Sequence, residues 1–155
     1  MKNYNDLMQE CLETVQEVFP WDLDEAIQAG QDVLLLDVRE QDEYDAMHIQ
    51  NSLFVPRGVL ESACEWGFDD TVPELVQARE REVVVICRSG NRSAFAAKTM
   101  QDLGYQNVKS LKTGIRGWND FELPLIDKDG KEVDIDDADE FLASKVSAEQ
   151  MGPQQ

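Results

Sequence analysis

The sequence predicts an α/β protein: a mainly parallel five-stranded sheet flanked by helices, with an N-terminal helix before it and an acidic extension after it. Three observations carry this expectation. Val33-Leu34-Leu35-Leu36 and Val83-Val84-Val85-Ile86 are continuous apolar runs of strand length, as strands buried on both faces must be. Segments of helical spacing separate the apolar runs, which is how parallel neighbours are joined. The 155 residues are 42% hydrophobic, enough for one core, yet the composition shifts sharply to acidic near residue 127. The expected layout is a helical extension over 1–17, the α/β domain over 18–126 and a partly disordered acidic extension over 127–155.

In chain order, residues 5–18 read as a helix. Leu7, Cys11 and Val15 recur every four residues, with Met8, Leu12 and Val18 beside them, and Pro20 stops the run. Asp22, with Glu25 three residues on, is expected to cap a second helix ending near Gly30. The 33–36 strand then delivers Asp37-Val38-Arg39-Glu40 at its carboxyl end. A short helix over Asp42 to Met47 and a short strand over Ser52 to Val55 follow, ended by Pro56. Residues 57–70 read as an excursion, carrying Trp66 and Phe68 toward the carboxyl edge of the sheet. Val72 to Glu80 reads as helix. The 83–86 strand leads into a helix from Ser93 to Leu103, with Ala94, Ala97, Met100 and Leu103 suited to packing and Gly104 as its stop. Val108 to Leu111 is a further strand, and Thr113-Gly114 turns into a short helix through Trp118. Residues 127–140 hold eight acids and two lysines. Asp127-Lys128-Asp129-Gly130 has the wrong ligand spacing for a calcium loop and reads as a solvated turn. A helix is expected near Ala138 to Val146, and disorder at Met151 to Gln155.

Charge and cysteine usage narrow the function. Thirty-two acids against 14 Lys and Arg give a net charge of −18, which repels nucleic acid phosphates and anionic lipid, so neither is an expected partner. No apolar run reaches membrane-spanning length, and no signal-peptide core follows Met1, so a soluble cytoplasmic protein is expected. Cys11, Cys64 and Cys87 are odd in number and widely spaced, matching neither a zinc pattern nor a disulfide framework. With His48 the only histidine, no metal and no cofactor are called for.

The chemistry concentrates in Cys87-Arg88-Ser89-Gly90-Asn91-Arg92-Ser93. A cysteine directly after a buried strand, followed by a short glycine-containing loop and a helix, meets the positive end of that helix and its unpaired N–H groups. Successive loop amides can converge into an anion-binding nest, and Arg88 and Arg92 add two permanent charges. Each effect favours the thiolate, which makes Cys87 the catalytic candidate. Gly90 supplies the freedom that a tight loop needs. Residues 79–116 carry a net +5 and the remainder −23, as a local anion site would require. An inert buried cysteine is the alternative, but a core position has no use for so polar a flank.

These residues resemble the rhodanese-like sulfurtransferase family, in its single-domain form, over residues 18–126. Leu36-Asp37-Val38-Arg39-Glu40, with Glu43-Tyr44 and His48-Ile49, looks like the first signature of the family. Residues 87–93 look like its active-site loop. Gly104-Tyr105-Gln106-Asn107-Val108, Leu111, Gly114 and Gly117-Trp118 look like its C-terminal signature. The sequence departs from the family at Met47, at Asn51-Ser52, where a Gly-Ala pair is common, and at Thr113, where a second glycine often stands. What the resemblance implies is a rhodanese-like domain running a persulfide cycle. Cys87 takes the outer sulfur of thiosulfate, polysulfide or a persulfide, and passes it to a thiophilic acceptor. The implied partners are small sulfur anions or persulfide-carrying proteins, the second making the chain a protein-to-protein sulfur relay. Cell-cycle phosphatases share the fold, but their loop holds five residues between Cys and Arg where Cys87 and Arg92 enclose four.

Within the site, Arg92 is expected to contact the anion and Arg88 to point outward and attract the donor. Ser89, Gly90 and Asn91 are expected to act through backbone N–H groups, and Ser93 closes the loop. Asp37 and Arg39 with Glu43 read as a structural ion pair, and His48 as a structural residue. Cys64 reads as loop packing rather than a resolving thiol, and Cys11 as core. The amphipathic helix at 5–18 has its own domain or a second copy to pack on, which leaves a homodimer open.

Overall fold

The computed structural model describes residues 1–153. α1 (Tyr4–Leu12) leads into β1 (Gln16–Val18), α2 (Pro20–Gln28) and β2 (Val33–Asp37). Then come α3 (Gln41–Ala46), β3 (Leu53–Phe54), α4 (Leu60–Ala63) and α5 (Pro73–Val76). β4 (Glu82–Ile86), α6 (Asn91–Asp102), β5 (Asn107–Leu111), α7 (Gly114–Asp120) and α8 (Ile135–Leu142) complete the fold, with 3-10 turns at Arg57–Val59 and Glu149–Met151.

The five strands form one sheet in the order β1-β5-β4-β2-β3, and every neighbouring pair is parallel. Strand periodicity divides the core. Leu34, Leu36, Val83 and Val85 face one layer, with Ala96, Ala97 and Met100 of α6. Leu35, Val84 and Ile86 face the other, with Leu23 of α2, Ile115 and Trp118 of α7 and Ala138 and Leu142 of α8. Burial on both faces explains the unbroken apolar runs of β2 and β4. Because all strands run one way, their carboxyl ends form a single edge, and Cys87 emerges there from the centre of the sheet.

Several elements differ from expectation. The first helix stops at Leu12 instead of running to 18. Residues 16–18 are the fifth strand, paired with Lys109, Ser110 and Leu111 of β5. The β-branched Thr14, Val15 and Val18 fit an open sheet edge better than a helix. Asn3 and Asp6 form a capping box at the start of α1. Pro20 opens α2 rather than ending α1, with Phe19 as N-cap, so Asp22 lies inside the first turn and is not the cap. The 72–80 helix shrinks to the single turn of α5. Beyond it, Arg79 Nη1 donates to the Val76 carbonyl at 2.8 Å and its guanidinium lies 4.6 Å from the Tyr105 ring centroid.

α1 packs on its own domain: Met8 and Cys11 are buried against Ala94 of α6, and Tyr4 meets Phe95 edge-on at 5.5 Å. The acidic segment is built into the fold. Ile126 bridges antiparallel to both His48 and Glu132, and Asp127 Oδ1 accepts the amides of Asp129 and Lys131 in a tight turn. Asp134 caps α8 by accepting from the Asp136 and Asp137 amides, so this helix starts three residues before the expected position and ends at Leu142. Met151 ends a 3-10 turn, and residues 154–155 lie outside the described residues.

Leu142 is 2% exposed while Val146 is 55% exposed. Leu142→Ala is therefore expected to cost about 3 kcal/mol in urea unfolding, and Val146→Ala less than about 0.5 kcal/mol. Equal midpoints for the two variants would show that α8 does not share the core.

Candidate active site

The loop between β4 and α6 is held from three sides. The Gly90 amide donates to Cys87 Sγ at 3.1 Å, and Cys87 Sγ lies 3.3 Å from Ser93 Oγ. Gly90 is the N-cap of the twelve-residue α6 and adopts φ +99°. A β-carbon there would meet Thr113 N at 3.1 Å and Leu111 O at 3.3 Å, so glycine is needed for conformation and for space. On the outer side, the carbonyls of Cys87 and Arg88 accept from the Ile115 and Arg116 amides of α7, each at 2.9 Å. Gly114 permits this approach: a β-carbon on it would lie 2.6 Å from Arg88 O and closer still to Cys87 O. Cys87 is only 1% exposed, so its sulfur sits beneath the loop rather than on it.

The two loop arginines are engaged elsewhere. Arg92 makes a two-pronged ion pair with Glu43 of α3, Nη1 to Oε2 and Nη2 to Oε1, both at 2.9 Å. Arg88 Nε donates to the Leu142 carbonyl at the end of α8, 3.3 Å away. In this structure the two side chains tie the loop to α3 and α8. Burial pushes the Glu43 carboxyl up, but hydrogen bonds from Arg92 and the Glu40 amide, with the charges of Arg92 and Arg39, outweigh it and leave it below its ordinary 4.5. The hydrogen bond to Glu43 in turn raises Arg92. Glu43 is thus not the third member of the Asp37–Arg39 pair. That pair stands alone and fully buried, with Arg39 Nη2 on Asp37 Oδ2 at 2.9 Å and on the Met47 carbonyl at 2.6 Å. Ser89, Gly90 and Asn91 line a cavity of about 340 Å³, together with Met8 and Leu12 of α1 and Lys112.

His48 is held by main chain: its amide and carbonyl pair with Ile126, Nδ1 lies 2.7 Å from Tyr44 O, and its ring stacks on Tyr44 at 3.9 Å. Cys64 is fully buried beside Tyr105, which precedes β5, whereas Cys87 follows β4. The two thiols therefore lie toward opposite ends of the sheet, and both are free. Burial raises the Cys64 thiol, and Cys11 likewise, which keeps both protonated at neutral pH. Trp66 and Phe68 are exposed at 53% and 57%, and neither lines the cavity beside the Cys87 loop. At the family departures, Asn51 and Thr113 take φ +67° and +66°, the left-handed region that glycine occupies without cost. The residue that sequence reading missed is Ser110 of β5, whose hydroxyl lies 2.7 Å from that of Ser93. Among the described residues, no group of three His, Cys, Asp or Glu could hold a metal ion.

Thr113→Gly relieves a left-handed β-branched residue and is expected to stabilise by roughly 1 kcal/mol in thermal unfolding, whereas Gly114→Ala displaces the loop carbonyls and destabilises. The Glu43 carboxyl is depressed in the folded state, so its contribution is present above about pH 4.5 and lost as pH falls through the lower folded value. Glu43→Gln is therefore expected to have a lower urea midpoint than the wild type at about pH 6, with the gap closing toward about pH 3. A gap that stays constant with pH would remove the pair from the account.

Comparison with known proteins agrees with this geometry. The model of the rhodanese-like domain matches residues 20–121. YrkF of Bacillus subtilis, named as a candidate sulfur carrier protein, is 33% identical over 93 residues, which are 59% of this chain and 44% of YrkF. A protein of Allochromatium vinosum named sulfurtransferase is 29% identical over 116 residues, 75% of this chain and 99% of that protein. The chain thus spans less than half the length of YrkF, and less than a quarter of two further relatives. A Rhodopseudomonas palustris structure, described as a protein of unknown function and candidate tyrosine phosphatase, superposes with a TM-score of 0.73 at 26% identity, covering 81% of this chain and 95% of that one. With the parallel sheet, the Cys87 loop and the family model in agreement over two thirds of its length, the chain belongs to the rhodanese-like domain family of sulfurtransferases and sulfur carriers.

Proposed function

We propose that the protein moves a sulfane sulfur from thiosulfate, polysulfide or a persulfide donor to a thiophilic acceptor through a persulfide on Cys87. One observation carries the reading: Cys87 Sγ sits between the Gly90 amide and the Ser93 hydroxyl, at the amino end of α6. Both groups can donate to an anionic sulfur, and the helix end favours negative charge. The Cys87 thiolate attacks the outer sulfur of the donor. A new S–S bond forms, the donor's S–S bond breaks, and its electron pair leaves with sulfite, a shortened polysulfide or a thiolate. An acceptor thiolate, sulfite or cyanide then takes the outer sulfur and returns the Cys87 thiolate. Neither step needs a proton, so a loop without histidine suffices. The persulfide also solves the access problem of a buried cysteine, because its terminal sulfur stands about 2 Å beyond Sγ.

The phosphatase description of the Rhodopseudomonas palustris protein does not transfer. Four residues between Cys87 and Arg92 make a smaller cradle than a phosphate needs, and Arg92 is already paired with Glu43. A second reading, a protein-to-protein relay that uses thiosulfate poorly, is favoured by charge. A chain of −18 slows small anions and steers basic partner proteins toward it. Three free thiols and no disulfide suit a reducing compartment such as the cytoplasm.

Intact-mass spectrometry after thiosulfate, and separately after polysulfide or a persulfidated protein, tests both readings. The expected result is a gain of about 32 Da, removed by cyanide and absent in Cys87→Ser. Loading by the protein donor alone selects the relay, and no gain from any donor overturns the persulfide cycle.

A further inference from the structure

We propose that Ser110 is a positioning residue for Cys87, acting through the Ser93 hydroxyl to hold the sulfur as the anion. Ser110 lies on β5 beside Val85 of β4, and its side chain is fully buried. The same is true of Ser93 in the first turn of α6. Their hydroxyl oxygens are 2.7 Å apart, and Ser93 Oγ is 3.3 Å from Cys87 Sγ. Among the described residues these are the only hydrogen bonds the two hydroxyls make, so Ser110, Ser93 and Cys87 form a chain of three groups with two links.

Counting hydrogens gives the chain a direction. With a thiol at Cys87 there are three donor hydrogens for two links, and one is left without an acceptor in a buried site, which is costly. With a thiolate, Ser110 donates to Ser93 and Ser93 donates to sulfur. Every hydrogen is then used, and the Gly90 amide supplies a second donor to Sγ. A persulfide leaves the count unchanged, since its inner sulfur carries no proton. Packing alone gives no reason for the hydroxyl: alanine would occupy the same place in the interior of a buried strand without a polar atom to satisfy.

This role rests on Cys87 being the working sulfur, so the test reads Cys87 without any sulfur donor. Iodoacetamide alkylation of Cys87 is followed by mass spectrometry against pH in the wild type, Ser110→Ala, Ser93→Ala and the double variant, with Ser110→Thr as the hydroxyl-retaining control. Ser110→Ala is expected to slow alkylation about fivefold at neutral pH and to move the rate profile to higher pH. Ser110→Thr should recover much of the rate, and in the Ser93→Ala background the Ser110 substitution should have no further effect. An unchanged rate in Ser110→Ala, or the same loss with and without Ser93, overturns the proposal. Failure of sulfur loading from every donor, with alkylation behaving as stated, would instead reject the sulfur-transfer reading and leave the Ser110–Ser93–Cys87 chain standing.

Discussion

The structure turns on the junction between the Cys87 loop and the first turn of α7. Two main-chain hydrogen bonds, Ile115 to Cys87 and Arg116 to Arg88, fix where the loop carbonyls point. With those carbonyls turned outward to α7, the following amide at Gly90 turns inward to Cys87 Sγ. The contact exists only because Gly114 has no β-carbon and takes φ +61°. The sheet brings the partners together, since β4 and β5 are parallel neighbours and end at the same edge. Everything the site does to a sulfur atom depends on that backbone-to-backbone approach.

The strands flanking the site and the loop itself were legible in the sequence for a physical reason. A strand buried on both faces must be apolar at every position, and a polar run straight after it has no place in a core. β1 was not legible. Three residues at a sheet edge bury little, and Val15 continues the four-residue spacing of Leu7 and Cys11, so periodicity extends a helix through a strand. α8 was legible as a helix but was placed three residues late, because composition blurs its start. Two residues four apart, Ala138 and Leu142, anchor it, and acids around them read as a solvated segment. The partners of Arg92 and Arg88 lie 49 and 54 residues away, and no local spacing announces them. Ser110 escaped because a single serine inside a strand has no pattern to break; its meaning comes from facing Ser93 across the sheet–helix interface.

The arginine contacts change how the site handles anions. A positively charged loop in a chain of −18 reads as a direct anion trap, yet Arg92 is neutralised by Glu43 and Arg88 is spent on a helix carbonyl. The groups within hydrogen-bond distance of the sulfur are an amide and a hydroxyl. Such donors act over hydrogen-bond distance and with direction, whereas a guanidinium acts as a broad charge. A site built from them grips a single sulfur atom by direction rather than by broad charge. The same choice lowers the field that would otherwise compete with the acidic surface for a bulky anionic ligand.

Burial of Cys87 then becomes part of selectivity rather than an obstacle. A fully exposed thiolate would meet oxidants and alkylating agents freely, while a sulfur at 1% exposure is reached only by small or extended reactants. In the proposed persulfide the reactive atom is one S–S bond beyond the sulfur that Gly90 and Ser93 contact. In the proposed cycle access therefore differs between the two halves: loading has to reach the buried sulfur, and delivery starts from an atom one S–S bond further out. Ser89, Gly90 and Asn91 border a cavity against α1 together with Lys112, so the N-terminal helix shapes the surface beside the loop as much as the loop itself does.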